Sequence, residues 1–391
     1  MKPPEEKSRS SPLKIRGFPA LNAAFLCLFT NVSLMYLYPL ALEKLYVSPA
    51  QIGIVMGVFS MAAVAVRPFL GLLIQRTGEG SVIFPGLALA TAAGLCYPFL
   101  DAFGPLMITV RVLHGVGFSA FIAGGFSIAA RSIPSKNQGE AFSFIGAAIT
   151  GAVAFAPPAG EALIRAAGFD ALYIAAVSAL PAAASFCRAA IRNASLTPPV
   201  PAPAAEVYRI VLAAGSFLPL LVVTWCFSHS QSTVLNFLAL AAEQAGSSGG
   251  KFFFLCFFTA LITLLTAGRT GDRLPKVYLL RVFLPIMALS VAGIPRLIGS
   301  PYWPLPALAF GISLGMLFPV LNAMAAGVTP VYAAASMAVF TAVYDGGFIT
   351  GPVLSGWMAE STTLPAAFTS AAFIVGAAFF VTLAAFRKPN P

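Results

Sequence analysis

Charged side chains are scarce in this sequence, and histidine and tryptophan are rarer still. Only 9% of the 391 residues are Asp, Glu, Lys or Arg, and the chain has two histidines and three tryptophans. About a quarter of a soluble globular domain is charged, so this composition excludes that class. Apolar residues make up 59% of the chain, and its mean hydropathy is +0.88. These values are typical of a polytopic membrane protein.

Residue combinations used by membrane enzymes are also missing. The sequence has no Asp-x-x-Asp motif, no His-Glu-x-x-His motif and no pair of carboxylates within one apolar run. Membrane hydrolases and transferases need a nucleophile with a base, or an acid-rich metal site. We therefore interpret the protein as a non-enzyme and expect no catalytic residue, no metal and no cofactor.

Sequence features of ATP-driven pumps and of channels are missing too. There is no Gly-x-x-x-x-Gly-Lys-Ser/Thr loop to cradle a nucleotide phosphate, so ATP does not drive this protein directly. There is no repeated filter loop of the kind that lines a channel. Transport would then have to be driven by an ion gradient or by the gradient of the substrate itself.

Cysteine is sparse and scattered. The five cysteines lie singly inside apolar runs, at Cys27, Cys96, Cys187, Cys226 and Cys256. Their spacing fits neither a zinc site nor a disulfide framework, so they are interpreted as small packing residues.

Long apolar runs are what the sequence has in abundance. A membrane-spanning helix needs about 20 apolar residues, and twelve runs meet that length. They cover residues 18–40, 50–73, 82–101, 105–130, 141–164, 170–191, 211–241, 250–267, 278–298, 303–327, 333–358 and 363–386. The sequence therefore predicts an all-α polytopic membrane protein with twelve transmembrane helices. The long seventh run is expected to contain a break.

Polar and proline-rich segments divide the chain into parts. Residues 192–208 contain dense proline, which predicts an extended linker between two halves. The predicted parts are a flexible leader (1–17), a first six-helix half (18–191), this linker, a second six-helix half (209–386) and a tail (387–391).

Basic residues are distributed unevenly between the two sides of the predicted membrane. With the N-terminus in the cytoplasm, 18 Lys and Arg residues fall on the inner side, Arg67 among them, and four fall on the outer side. Such a bias predicts that both termini are cytoplasmic in a multi-pass protein of the cell (inner or plasma) membrane. The net charge of +10 then requires only the lipid bilayer as partner, and no nucleic acid.

A short basic motif occurs once in each predicted half. Gly71, Gln75 and Arg76 follow the second apolar run, and Gly268, Asp272 and Arg273 repeat the spacing 197 positions later. Each copy reads Gly, three residues, an acid or its amide, and then Arg. A parallel repeat at half the chain length predicts two pseudo-symmetric halves.

These motifs resemble the loop between the second and third helices of major facilitator superfamily transporters. The resemblance covers nearly the whole chain, and the second half looks most like bacterial drug and sugar efflux permeases. It implies alternating access between two six-helix halves, with the two loops acting as inner gates. In the family the acid of this loop helps to close the inner side. Gln75 cannot form that ion pair, so we expect the second-half loop, with its acid at Asp272, to dominate the gate.

The fourth run contains an arginine that is costly to bury. Arg111 lies two turns inside the run, and His114 shares its helix face. The position resembles the fourth-helix arginine of the superfamily, which implies a role in coupling or in attracting substrate charge. The alternative is that Arg111 reaches the nearby outer surface along its own helix.

Prolines in the fifth and eleventh runs resemble the bend of the superfamily's antiporters. In the fifth run the pattern is degraded, because Glu161 replaces a glycine; this glutamate is interpreted as a charge at the outer rim. Asp345 of the eleventh run lies at mid-membrane depth and is the leading candidate for proton coupling. Arg111 is a possible partner, and a purely structural, hydrogen-bonded aspartate is the alternative.

Other polar residues inside the runs are candidates to line a cavity, because buried polar groups in a membrane need partners. They are Asn31, Tyr36, His229, Asn236 and Asn322. His229 could equally be a hydrogen-bonded wall residue, and Asn31 could simply bond a neighbouring helix.

The sequence thus predicts a secondary transporter, a monomer, that exports a small organic compound by proton antiport. The alternative is uptake, proton-coupled or facilitated, of a small metabolite or organic anion attracted to Arg111. Substrate identity is not encoded in any motif.

Overall fold

The computed structural model describes residues 12–194, 196, 205–271 and 274–386. Within these residues the secondary structure is entirely helical. The helices of membrane length are α1 (Phe18–Lys44), α2 (Pro49–Thr77), α3 (Gly80–Phe99), α4 (Pro105–Ser132), α5 (135–167), α6 (169–193), α7 (Phe217–Gln244), α8 (Gly249–Gly271), α9 (Lys276–Leu297), α10 (Pro304–Val328), α11 (Ala333–Ser361) and α12 (Leu364–Ala385).

Helices α5 and α6 are formed by one continuous stretch, Ser135–Asn193, that turns back at Gly168. A straight helix of 59 residues would be about 89 Å long, far more than one membrane crossing. Gly168 has φ 80° and ψ −175°, a backbone conformation that breaks the helix and that favours glycine. After the turn, the chain comes back against Gly160: a Cβ on Gly160 would lie only 2.9 Å from the side chain of Leu172. The two segments therefore lie side by side, and the described residues form the twelve spans that the sequence predicts.

The predicted break in the seventh run lies before the span and not within it. A linker helix, Ala205–Ala213, meets α7 at a bend of 85°. From Phe217 to Gln244 the helix is continuous, although it carries a wide polar stretch. The hydroxyl and amide groups of that stretch bond to helix carbonyls and to neighbouring helices, so the backbone ladder is not interrupted.

The predicted leader and linker are more ordered at their ends than the sequence suggests. Pro12–Lys14 form a 3-10 turn, and Pro12 is buried, whereas the sequence predicted a flexible leader to residue 17. Residues 205–208 of the predicted extended linker belong to the linker helix. Residues 197–204 and the tail, 387–391, lie outside the described residues.

The two halves meet mainly along two pairs of helices, α2 with α11 and α5 with α8. We call the end of the bundle that holds Gly17 and Thr77 the basic end, and the other the opposite end. Near the opposite end α2 and α11 almost touch, since a Cβ on Gly53 would lie 2.3 Å from the carbonyl oxygen of Pro352. Toward the basic end, Gly71 of α2 and Gly346 of α11 have no such neighbour within 4 Å. At these positions α2 and α11 therefore pack more closely near the opposite end than toward the basic end.

Large apolar side chains are exposed around the bundle. Leu289, Phe373 and Phe380 are each more than 65% exposed. In water such a surface would be unfavourable, but in a bilayer it faces lipid chains. Within the described residues, ten helices are long and apolar enough to cross a membrane. The number is eleven if the bent pair at α7 counts as one span, and the longest helix contains both α5 and α6. The protein is a multi-pass membrane protein.

Candidate functional site

An ion pair joins the two halves inside the bundle. Nη1 of Arg67, on α2, donates a hydrogen bond to Oδ2 of Asp345, on α11. The two side chains are 27% and 20% exposed, so the pair is only partly shielded from solvent. Because each half contributes one member, relative motion of the halves can separate the charges.

This pairing corrects two sequence-based interpretations. Arg67 was counted with the basic residues of the inner loop, but it lies within α2, ten residues before the end at Thr77. Arg111 was a possible partner of Asp345, but the partner in the structure is Arg67. The reason is helix packing: α2 lies against α11, whereas Arg111 points into its own half.

Aromatic rings surround the helix turn that carries Asp345. The hydroxyl of Tyr344 donates to Oε1 of Gln231 on α7 at 2.8 Å. Four rings lie 5.3–6.4 Å from the Tyr344 ring, those of Phe227, Phe318, Phe340 and Phe348. These rings form an apolar cluster around Tyr344, the residue that precedes Asp345.

The polar candidates of the second half differ in what they contact. Nδ1 of His229 lies 3.2 Å from Oγ1 of Thr350, so this histidine links α7 to α11. Asn236 donates to the carbonyl of Ser232 in its own helix at 2.7 Å. Asn322 is half-buried and also donates within its own helix. Of the three, His229 alone connects helices through these bonds. This contact fits the second of its two interpretations, a hydrogen-bonded wall residue.

Tyr36 contributes a contact between the halves. It lies in a short 3-10 segment, Met35–Leu37, in the middle of α1. Its ring is nearly parallel to that of Phe253 on α8, with centroids 6.2 Å apart. The stack joins α1 of the first half to α8 of the second half.

The polar candidates of the first half form one buried chain of hydrogen bonds. Nδ2 of Asn31 donates to the carbonyl of Ala176, and its Oδ1 lies 2.9 Å from Nε2 of His114. Nδ1 of His114 lies 2.9 Å from the hydroxyl of Tyr97, which in turn accepts from Nη1 of Arg111 at 3.2 Å. The chain connects α1, α3, α4 and α6.

The donors and acceptors of this chain define the protonation state of His114. The Asn31 amide nitrogen is committed to a carbonyl, so its oxygen faces His114 and needs a donor. Nε2 of His114 must therefore carry a proton. Tyr97 then donates to Nδ1, which is an acceptor only in neutral histidine. A second proton on His114 would disrupt the bond to Tyr97 and place a cation beside Arg111.

Arg111 is sealed inside the first half and does not extend to a surface. The residue is 2% exposed, and Nε donates to the carbonyl of Val55 at 3.0 Å. The guanidinium carbon lies 4.9 Å from the ring centroid of Phe59 and 5.8 Å from that of Tyr38. Ring faces and oxygen acceptors thus stabilise the buried cation.

The sequence matches a family of known architecture. The family model of the Major Facilitator Superfamily matches residues 20–336, which is more than half of the chain. The chain belongs to the major facilitator superfamily.

Two relatives show the range of functions in this superfamily. The multi-drug resistance efflux pump PmrA of Streptococcus pneumoniae is 23% identical over 373 residues, 89% of this chain and 90% of PmrA. The riboflavin transporter RibZ of Clostridioides difficile is 29% identical over 122 residues, 30% of this chain and only 27% of RibZ.

Solved structures of superfamily transporters share the fold. A bacterial homologue of the human lysosomal transporter Spinster, inward-facing and unoccupied, superposes with a TM-score of 0.74 at 14% identity, covering 96% of this chain and 98% of that one. The nucleoside transporter NupG gives a TM-score of 0.73 at 14% identity, with 95% and 99% covered. The predicted superfamily fold is confirmed.

The superfamily's loop motifs lie at the basic end. Gln75 and Arg76 are exposed in the last turn of α2, and Gly71 has open space around it. Gly268 belongs to α8, while Asp272 and Arg273 lie outside the described residues. The gating roles of these residues stay predictions.

An acidic residue that sequence reasoning missed lies beside the first loop. Glu79 is 4% exposed, and its Oε1 accepts hydrogen bonds from Ser127 and Arg131 near the end of α4. This ion pair links the start of α3 to the end of α4. Arg131 lies about two helical turns after Gly124, and Glu79 follows Gln75 by four residues. The signal that could have revealed it is an acid and an arginine at adjoining ends of consecutive apolar runs.

No group of three or more metal-ligating side chains converges within the part of the chain that the structure describes. The described cysteines are all unpaired thiols, and Cys187, Cys226 and Cys256 are buried. The site therefore consists of the Arg67–Asp345 pair, the rings around Tyr344, the Tyr36–Phe253 stack and the buried chain that ends at Arg111.

Proposed function

We propose that this protein is a proton-coupled exporter of small organic compounds that works by alternating access. The observation that carries the proposal is the Arg67–Asp345 pair. A carboxylate whose cationic partner belongs to the other half changes its surroundings whenever the halves rock. Proton binding favours the separated state, and proton release favours the paired one. A gradient can thereby be coupled to the motion.

The direction of opening supports this cycle. The positive-inside distribution of Lys and Arg supports a cytoplasmic position for the basic end. We propose that the described conformation is the inward-facing one, because α2 and α11 pack most closely near the opposite end. The Arg67–Asp345 pair lies on the basic-end side of that close packing.

Export is favoured over uptake by two observations. PmrA, named as an efflux pump, matches along nearly the full length of both chains. The uptake alternative relied on Arg111 as a site for an organic anion, but Arg111 is 2% exposed and is bonded within its own half. The rings around Tyr344 and the Tyr36–Phe253 stack suit an amphipathic, partly aromatic compound.

The experiment that tests the proposal is transport in proteoliposomes containing the purified monomeric protein. A panel of amphipathic, sugar-like and anionic compounds is measured with and without an imposed pH gradient. We expect accumulation of an amphipathic compound that is driven by the gradient and abolished by a protonophore. Movement of every compound at the same rate with and without the gradient would contradict proton coupling.

A topology experiment tests the orientation independently. We expect a reporter that fluoresces only in the cytoplasm to be bright when fused after Pro391. The same reporter inserted between α3 and α4, near Ala102, should be dark. The reverse pattern would reject the orientation, and with it the inward-facing assignment.

A further inference from the structure

In each half of the molecule, a glutamate carboxylate accepts hydrogen bonds from the first turn of a helix in the other half. Glu360, near the end of α11, accepts at Oε2 from the hydroxyl of Ser48 at 2.6 Å and from the backbone N–H of Ala50 at 2.9 Å. Ser48 is the residue that caps α2. A carboxylate from the second half therefore completes the N-terminal cap of a helix in the first half.

The same arrangement occurs on the other side of the bundle with the halves exchanged. Oε2 of Glu161, on α5, accepts from the hydroxyl of Ser248 at 2.7 Å and from the backbone N–H of Gly250 at 2.6 Å. Here a carboxylate from the first half caps α8 of the second half. The serines match in detail too: each hydroxyl oxygen accepts from the N–H three residues on, that of Gln51 or Lys251.

Pseudo-symmetry relates these two sets of bonds. Along the chain, α8 is the sixth helix after α2, and α11 is the sixth helix after α5, so the capped helix and the helix that carries the glutamate exchange between the halves. Sequence comparison does not reveal the match, because Ser-Pro-Ala-Gln and Ser-Gly-Gly-Lys share only the serine. The interpretation of Glu161 as a charge at the rim missed these bonds.

We infer that Glu161 and Glu360 are reciprocal latches that hold the opposite end of the molecule closed. Both carboxylates can reach their partners only while the halves meet at that end. The first N–H groups of a helix have no partner within the helix, and a negative charge there is favoured. When that end opens, both carboxylates move away, and the first backbone N–H groups of α2 and α8 bond to water instead. The inference rests on the proposed alternating-access function.

Close packing next to each latch is the reason we expect the two latches to open together. Gly53 and Gly356 let α2 and α11 touch directly beside Glu360. Pro158 lies against Gly250 beside Glu161, and a Cβ on Gly250 would be 2.7 Å from the Pro158 Cα. Halves that pack this tightly rock as rigid bodies, so loss of one latch also loosens the other.

Hydrogen–deuterium exchange of the full chain in detergent or nanodiscs tests the inference without any substrate. The peptides of interest cover residues 49–53 and 249–253, which start α2 and α8. Glu360→Ala should accelerate exchange in both peptides, although it contacts only the first. A cap contributes about a 2- to 30-fold change in an equilibrium, and the exchange rate should rise by a similar factor. Glu161→Ala should also accelerate exchange in both peptides, although it contacts only the second.

Asp170→Ala is the matched control, because it removes an exposed carboxylate near the start of α6 at the same end of the molecule. We expect wild-type exchange in both peptides. Ser48→Ala and Ser248→Ala remove the hydroxyl's bond to the glutamate and keep the bond from the backbone N–H. They should accelerate exchange in the distant peptide by a smaller factor, and they test the inference even if one of the glutamate variants folds poorly.

Acceleration confined to the peptide that the altered glutamate contacts would overturn the latch and leave a local cap. A spin-label distance between exposed sites at Ala102 and Tyr302, one in each half, gives a second measurement in a cysteine-free background. The distance should lengthen in Glu161→Ala/Glu360→Ala and stay unchanged in Asp170→Ala. Failure to detect transport would reject the proposed function but leave both readouts interpretable.

Discussion

Arg67 and Asp345 lie at matching depths in two antiparallel helices of different halves. Asp345 is 12 residues from the start of α11, and Arg67 is 10 residues from the end of α2. At 1.5 Å per residue, both lie about 15–18 Å from the basic end, near the middle of a bilayer core. An ion pair at that depth makes the free energy of the molecule depend on how the halves are arranged.

The first prediction concerns proton coupling through Asp345. Asp345→Asn keeps the size and most hydrogen bonding of the side chain but removes its titration. In proteoliposomes we expect retained substrate exchange and loss of accumulation driven by a pH gradient. Glu140→Gln, at an exposed position near the start of α5, should transport normally. Full gradient-driven accumulation in Asp345→Asn would contradict proton coupling through Asp345. The alternative of a structural, hydrogen-bonded aspartate would then remain.

The second prediction concerns the energy of the ion pair. We expect Arg67→Gln and Asp345→Asn each to lower the thermal stability, because each leaves one charge without its counterpart. The double variant should recover part of the loss, with a coupling energy of about 0.5–3 kcal/mol. Thermal unfolding followed by thiol or tryptophan fluorescence measures all four proteins. Strictly additive losses would show that the two side chains do not interact in the folded protein.

The third prediction concerns the buried chain around His114. Tyr97→Phe removes the donor to His114 and the acceptor for Arg111, so it should destabilise the protein by about 1–3 kcal/mol. Tyr38→Phe is the control. Its hydroxyl is buried without a hydrogen-bond partner among the described residues, so its removal should be neutral or slightly stabilising. Equal melting temperatures for the two variants would contradict the network.

The fourth prediction compares the two loops at the basic end. Gln75 cannot form the ion pair expected of the family's acid, so Asp272→Asn should slow transport much more than Gln75→Ala. Glu79→Gln should also slow it, because it weakens the brace to Arg131 beside the first loop. Initial rates of transport in proteoliposomes measure the order. Similar rates for Asp272→Asn and Gln75→Ala would identify both loops as ordinary turns.

Sequence alone determined the class of the protein, since spans, charge bias and repeated motifs are local properties. Twenty apolar residues must cross a bilayer as a helix wherever they are packed. A motif repeated at half the chain length likewise requires two related halves. The depth of Asp345 and the shared face of Arg111 and His114 also follow from helix periodicity.

Partners, by contrast, were decided by tertiary structure. Arg67 and Asp345 are 278 residues apart, and the sequence offered Arg111 as an equally charged partner. Only the packing of α2 against α11 selects between them, because it brings Arg67 to Asp345 while α4 turns Arg111 toward Val55 and Tyr97. The latches of Glu161 and Glu360 depend on the same long-range packing. Backbone N–H groups, which every residue but proline carries, are half of each latch, so no side-chain pattern in the sequence could have revealed it.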